Sequence, residues 1–360
     1  MADPLRDGGR DLTAEIVDRV RAVAADGGSV LLRGGGTKLR RYGRRCDAAP
    51  LDLAQHRGIV AYRPAEMVMT ARAGTSIDTL RQAAGAAGQI LPFDAPSFRG
   101  RATLGGTLAC NAAGPDRPWR GSVRDAVLGI RLVNGRGEVL RFGGDVIKNV
   151  AGYDVSRLQA GALGTLGCIT EVSLRLLPRP DAVLTLQRDC TVDQAVAALR
   201  ALAARPLPLT GAAWYADTLH LRLAGSGSAL AGLAGDLSAY REDDTDFWEA
   251  LREWRLPELA DATPLWALDV APATELPRSP VPFLIDWAGA RRLARDIDSA
   301  RSAQTLASPG AGHAQRLWGG DSDAAVVASP PPALLHLLRR TKAAFDPQGI
   351  FNPGRLYPEF

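Results

Sequence analysis

Residues 31–38 read LLRGGGTK. An apolar, strand-like run, SVLLR at 29–33, meets three glycines with no spacer. Glycine permits positive φ and lets backbone approach another group closely. A glycine run after a strand reads in two ways: as a tight strand-to-loop turn, or as a nest whose N–H groups converge on an anion. Two other phosphate-binding patterns do not fit. A P-loop needs G-x-x-x-x-G-K-[ST], and G-x-G-x-x-G must open a helix within a βαβ unit. Here Thr37-Lys38 follows too soon, and an arginine-rich loop (Arg40, Arg41, Arg44, Arg45) stands where a helix would begin. Those arginines suit a carboxylate or phosphate, a solvated basic face being the simpler reading.

Working outward, the periodicity predicts a helix capped by Thr13, with Ile16, Val20 and Val23 inward and a stop at Gly27-Gly28. LDLA at 51–54 and GIVAYRP at 58–64 read as strands, and 75–89 as an amphipathic helix. From 100 to 180 glycine is dense, with strand-like VLGIRLV, EVLRF and CITEVSLRLL between the glycine turns, which predicts a meandering sheet. PRP at 178–180 is a candidate boundary. Beyond it, helices are expected at 193–204, 228–239, 246–254, 287–300 and 331–345. Two strands are expected within 212–224, and a loop with an edge strand at 308–320. Trp248, Trp254 and Trp266 read as core or subunit contacts.

The 360 residues carry a net charge of +4, with basic residues scattered along the chain. This gives no support to a nucleic-acid role. Cys46, Cys110, Cys168 and Cys190 form no C-x-x-C pair, so iron–sulfur and zinc sites are not expected. No apolar run reaches the ~18 residues of a membrane span. The chain reads as cytoplasmic, peripheral to the inner membrane through partners.

One glycine turn is easily structural; five in one half of a chain, with Thr, Asn or Asp beside them, point to backbone wrapping a long ligand. The order RGGGT, YRPAE, AGTSIDTL, LPFDAPS, ATLGGTLACNAAGP, RGSVRDAVLG, KNVAGYDVSRL and GALGTLGCITE resembles the FAD-binding domain of the vanillyl-alcohol oxidase/p-cresol methylhydroxylase (PCMH-type) flavoproteins. The resemblance covers about residues 10 to 180. DWAGARR (286–292), GAGHA (310–314) and FDPQGIFNPGR (345–355) extend it toward the E-subunit family of bacterial glycolate oxidases. The resemblance implies an α+β fold. A two-subdomain FAD-binding domain (1–180) would precede a short α+β cap (181–345), and a C-terminal segment (346–360) would return toward the FAD domain.

It also implies site residues. Arg33, Gly34, Gly35, Gly36 and Thr37 would form the pyrophosphate loop. Gly74 and Thr75 would border the cofactor. Pro96, Ser97, Thr103, Leu104, Gly105 and Gly106 would line flavin and diphosphate, with Asn111, Gly114, Gly121 and Asp125 continuing that wall. Gly164, Thr165, Leu166, Gly167 and Ile169 would grip the adenosine side. Lys148, Asn149 and Tyr153 are candidates to border the flavin ring, and Asp154 a local cap.

Two departures from family patterns matter. Many relatives anchor FAD through a histidine in the pyrophosphate loop; Thr37 holds that slot here, which implies non-covalent FAD. Relatives that oxidise D-2-hydroxy acids carry a C-terminal H-x-G-D-G-N-x-H run that holds a metal. The histidines here are His56, His220, His313 and His336, far apart, and no metal is expected. His313 is a weak candidate for a catalytic base. Arg291, Arg292 and Arg316 are candidates for an arginine clamp in place of the metal.

The function implied is a subunit of a glycolate (2-hydroxy acid) dehydrogenase. It would work with a larger FAD-binding subunit and an iron–sulfur subunit that takes the electrons. An independent flavin oxidase and a non-catalytic FAD-binding scaffold are the alternatives.

Overall fold

A computed structural model describes residues 9–144, 154–233, 235–243, 246–260 and 263–360. The architecture is α+β. The first layer is a parallel pair, Val30–Arg33 against Ala49–Asp52, covered by the helix Thr13–Ala25. Ile16, Val17, Val20 and Val23 recur at helical spacing and pack on Val30, Leu53, Val133 and Cys168. Thr13 is the first helical residue rather than the cap. Leu12 holds the cap position, and the Thr13 N–H (2.9 Å) and hydroxyl (2.7 Å) donate to Asp11. From the far end of the chain, Ile350 and Phe351 join this layer: Val30 N–H donates to the Ile350 carbonyl, and Asn352 N–H to the Val30 carbonyl.

The glycine-dense region contains the expected meander. Ile59–Arg63, Val68–Arg72, Cys168–Arg175, Val127–Val133 and Val139–Gly143 form an antiparallel five-stranded sheet in that order. The helices Ile77–Ala86 and Leu104–Cys110 bury Ile77, Leu80, Leu104 and Leu108 against it. The second of these helices was not expected from its sequence. LGGTLAC contains two helix-weakening glycines, but the side chain of Thr103 caps it and burial of Leu104 and Leu108 stabilises it.

An eight-stranded antiparallel sheet follows: Arg241–Glu242, Ala182–Asp189, Thr218–Gly225, Leu209–Tyr215, Leu284–Asp286, Arg291–Ala294, Leu265–Asp269 and His313–Trp318, in spatial order. The helices Val192–Ala203 and Ala300–Ala307 cover it. The expected helix at 287–300 is a correction. Arg291–Ala294 is a strand between two others, and helix begins only at Ala300. Its apolar residues fit either period over so short a run, and ladder pairing decided for the strand. Likewise, among the described residues of the expected 228–239 helix, only those within the helix Gly227–Ala231 are helical. A shared apolar cluster joins the two halves: Tyr42, Ala112 and Leu163 pack with Phe247, Trp248, Leu251, Leu265 and Leu317. No helix among the described residues is long and apolar enough to cross a membrane.

Candidate functional site

The glycine loop is a partition. It leaves the strand Val30–Arg33 and presses on the segment before the helix Leu104–Cys110. A β-carbon on Gly34 would stand 2.3 Å from the Thr103 hydroxyl, and one on Gly35 only 1.7 Å from the Arg101 carbonyl oxygen. Gly36 instead adopts φ +71° with open space around it. So the side-chain space at Gly34 and Gly35 is claimed by the protein's own chain. What the loop offers a ligand is its amides. The N–H groups of Gly34, Gly35, Gly36, Thr37 and Lys38 donate to no acceptor among the described residues.

These five residues line a narrow cavity of about 90 Å³. Thr103, Gly105, Gly106, Gly164, Gly167 and Ile169 line it too, so the structure brings this part of the predicted set together. On the loop's other face, Arg33, Gly74, Thr75 and Thr103 line a wider cavity of about 680 Å³ with the same glycines. Arg33 is ion-paired there with Asp52 at 2.9 Å.

The remaining predicted residues line neither cavity. Ser97 gives its N–H and hydroxyl to the Glu253 carboxylate (3.0 and 3.3 Å), as Phe98 gives its N–H (2.8 Å), so Pro96-Ser97 is a docking point for the second half of the chain. Leu104 is core, and its N–H donates to the Thr75 carbonyl. Asn111 ends the helix in a left-handed turn, its Oδ1 buried without a partner. Gly114 abuts the Asp94 carbonyl, and its own carbonyl accepts from the Trp287 indole at 2.9 Å. Gly121 and Asp125 build a helix start, with the Asp125 carboxylate accepting from Ser122. Thr165 and Leu166 are buried, and the Thr165 carbonyl accepts from Lys342 at 2.6 Å. Asp154 caps a short helix through Arg157 N–H, whereas Lys148, Asn149 and Tyr153 lie outside the described residues.

Lys38, Asn352 and Arg355 also stand on the narrow cavity's wall; sequence reasoning missed Lys38 and Arg355, and read Asn352 in FNPGR only as returning the chain to the FAD domain. Asn352 is the anchor of the C-terminal segment: its Oδ1 accepts from Leu32 N–H at 2.7 Å and its Nδ2 donates at 2.5 Å to the Leu163 carbonyl. Arg355 donates to the carbonyls of Leu39, Tyr42 and Arg44, knitting that segment to the loop after Lys38. The motif FNPGR was the signal for both. Lys38 is only 6% exposed and forms no ion pair among the described residues. Its ammonium donates to the Thr107 hydroxyl at 3.3 Å and sits 5.5 Å from the Phe98 ring centre. Burial drives its pKa down to about 8, against the opposing pull of Cys110 and Glu253.

The histidines serve structure or lie outside. His56 accepts from Leu12 N–H and contacts the Thr170 carbonyl; His220 is bonded to Asp243 at 2.8 Å and stacked on Phe247. His313 is exposed on the edge strand and lines none of the cavities described. Among the described residues, no cluster of three or more His, Cys, Asp or Glu is arranged to hold a metal.

A family model described as "FAD binding domain" matches residues 11–143, and one for the C-terminal domain of FAD-linked oxidases matches 318–356. Glycolate oxidase subunit GlcE of Escherichia coli (strain K12) is 40% identical over 352 residues, 97% of this chain and 98% of that one. The chain belongs to the glycolate oxidase E-subunit family of FAD-linked oxidoreductases. Other likenesses are more partial. Glycolate oxidase subunit GlcD of Bacillus subtilis (strain 168) is 40% identical over 99 residues, 28% of this chain and 21% of that one. D-2-hydroxyglutarate dehydrogenase of Xanthomonas citri is 35% identical over 127 residues, 35% of this chain and 27% of that one. A solved alkyldihydroxyacetonephosphate synthase shares the fold, with a TM-score of 0.67 at 16% identity over 95% of this chain and 76% of that one. The chemistry of the glycine loop fits the family's cofactor. Five consecutive amides without an acceptor among the described residues, and a buried lysine bonded only to a hydroxyl, stand on one cavity wall and form a donor set that a diphosphate satisfies.

Proposed function

We propose that this chain is the FAD-binding E-type subunit of a multisubunit glycolate dehydrogenase. A small 2-hydroxy acid is oxidised to its 2-oxo acid, glycolate to glyoxylate. Electrons leave through partners: a larger FAD-binding subunit and an iron–sulfur subunit. The observation that carries this reading is full-length likeness to a glycolate oxidase subunit, joined to the amide-lined cavity.

FAD is held non-covalently in this proposal. The N–H groups of Gly34 to Lys38 take the diphosphate oxygens, and the Lys38 ammonium balances their charge. Gly105, Gly106, Gly164 and Gly167 let backbone close around the cofactor without side-chain intrusion. Asn352 and Arg355 hold the C-terminal segment as part of the wall. When bound, FAD supplies a two-electron acceptor for the carbon bearing the hydroxyl. The chain's own task is to hold and shield that acceptor, and to present it where Glu253 fastens the second half of the chain against Ser97 and Phe98. The 1–180, 181–345 and 346–360 division follows this reading: FAD domain, cap with subunit contacts, and returning segment. The complex is cytoplasmic, attached to the inner membrane through its partners.

A second reading, an FAD-binding scaffold without its own turnover, is favoured by one placement: the candidate base His313 is exposed on an edge strand, away from the amide-lined cavity. Anaerobic addition of glycolate to the purified chain, followed at the flavin band near ~450 nm, separates the readings. No bleaching alone, with bleaching after the partner subunits are added, is expected. Steady turnover by the lone chain at about 10 s⁻¹, the enzyme median, would establish an independent oxidase. An absence of bleaching in the full complex would remove the 2-hydroxy acid reading.

A further inference from the structure

Beside the amide-lined cavity, sharing Leu39 and Arg355 with it, lies a larger one of about 610 Å³. Arg40, Arg41, Arg45, Arg316 and Arg355 line it, and among the described residues no Asp or Glu does. These arginines are not equivalent. Arg355 is used up on three carbonyls, Arg45 is ion-paired with Asp47 at 2.6 Å, and Arg316 gives Nη2 to the Ala324 carbonyl. The side chains of Arg40 and Arg41 make no hydrogen bond or ion pair among the described residues, although the Arg41 backbone N–H donates to the Lys38 carbonyl at 3.1 Å. Arg41 is held in another way. Its guanidinium lies 5.2, 4.9 and 4.5 Å from the ring centres of Phe98, Trp254 and Trp318. Its Nη1 is buried with no partner.

A guanidinium fixed by three aromatic faces keeps its planar fork of donors pre-set, and a fork with a buried, unpaired N–H calls for a planar oxyanion. The other clamp candidates are less suited: Arg291 is locked bidentate to Asp269 at 2.7 and 2.6 Å, and Arg292, whose Nε is also buried without a partner among the described residues, lines none of these cavities and gives both Nη atoms to the carbonyls of Thr274 and Glu275. Phe98 also stands under Lys38, so the aromatic cage of Arg41 adjoins the amide-lined cavity.

We propose that this cavity is the carboxylate-recognition site for a small 2-hydroxy or 2-oxo acid, with Arg41 as the clamp and Arg40 as its outer partner. The proposal rests on the 2-hydroxy acid reading above and deepens it by placing the acid. The cavity is larger than a two-carbon acid, so the acid is held against the arginine wall rather than enclosed.

The test uses the FAD-loaded protein with oxalate as a probe that resembles the acid but supplies no oxidisable carbon. Binding is followed by tryptophan fluorescence, since Trp254 and Trp318 flank Arg41. Saturable quenching by oxalate and by glycolate is expected, with the neutral glycolamide far weaker. Arg41→Met should weaken oxalate about tenfold or more, the scale of a lost charge-assisted hydrogen bond. Arg40→Met should weaken it less, and flavin content should stay unchanged in both. Unchanged oxalate affinity in Arg41→Met would overturn the proposal, as would loss of FAD in place of loss of oxalate, or inorganic phosphate binding as tightly as oxalate. If Arg41→Met does not fold, Arg41→Lys, which keeps the charge and loses the fork, replaces it with the same expected loss. Oxalate binding that depends on Arg41, in a complex that glycolate never reduces, would keep the carboxylate site and sink the glycolate reading.

Discussion

The Arg101 carbonyl oxygen occupies the place where Gly35 would carry a side chain: a β-carbon there would stand 1.7 Å from it. Arg101 also reaches back, its Nη2 donating to the Gly35 carbonyl at 3.1 Å. The loop's glycine requirement is thus imposed from within the protein, and its amides are left for the ligand.

Gly35→Ala and Gly36→Ala should therefore differ. The first drives a methyl into backbone that cannot swing aside, at a cost of ~3 kcal/mol, and should lower both melting temperature and bound flavin. The second meets no atom nearer than Arg33 Cδ at 3.9 Å and bears only the strain of φ +71°, about 1 kcal/mol. Thermal denaturation and flavin-to-protein absorbance ratios measure both. A Gly35→Ala protein with wild-type melting and flavin content would contradict this account of the loop.

Lys38→Met should stabilise the flavin-free protein while weakening FAD. Burial lowers the folded pKa of Lys38 to about 8, so between there and its unfolded value, roughly 10.4, the unfolded chain holds more protons. Stability of the flavin-free wild type should rise with pH across that window, and the variant should lack the rise. At pH 7 the variant gains on the order of 3 kcal/mol at most. FAD affinity in the wild type should fall as pH climbs through about 8, and that dependence should vanish in Lys38→Met. Equal FAD dissociation constants at pH 7 would remove Lys38 from the cofactor's surroundings.

If FAD is held non-covalently, as proposed, acid precipitation should release yellow flavin into the supernatant. Colour retained in a washed, denatured pellet would show a covalent bond.

Asp286 gives a pH signature of opposite sign. Burial pushes its carboxyl up to about 7, outweighing the Trp287 N–H donated to it at 2.7 Å and the nearby Arg291 charge. The folded state thus holds a proton that the unfolded state releases near ~3.9. That contribution is fully present below the unfolded value and lost as pH rises through about 7. Asp286→Asn, which keeps an acceptor for Trp287, should melt higher than wild type at pH 8, with the gap closing toward pH 5. Parallel melting curves across that range would show that Asp286 carries no such proton.

Patterns whose meaning is local were legible in the sequence. The glycine turns follow from φ, as at Gly137 (φ +69°) in the hairpin after Asn134. The meander strands Val127–Val133, Val139–Gly143 and Cys168–Arg175 match the runs read from residue types alone. Where a local signal had two solutions, it misled. RRLA at 291–294 has no period of its own long enough to separate helix from strand, and LGGTLAC, read only as part of a glycine-dense stretch, forms a helix capped by Thr103.

The sequence by itself determined the family and the amide-bearing loop, because chain order and backbone conformation are properties of neighbours. Tertiary structure alone decided which residues face a ligand. Ser97 and Gly114, beside the glycines in every sequence reading, turn away to Glu253 and Trp287, more than 150 positions onward. Lys38, Arg41 and Asn352 acquire their roles from Thr107, Trp254, Trp318 and Leu163. Burial, charge pairing and cavity shape are sums over residues distant along the chain, and no short spacing records them.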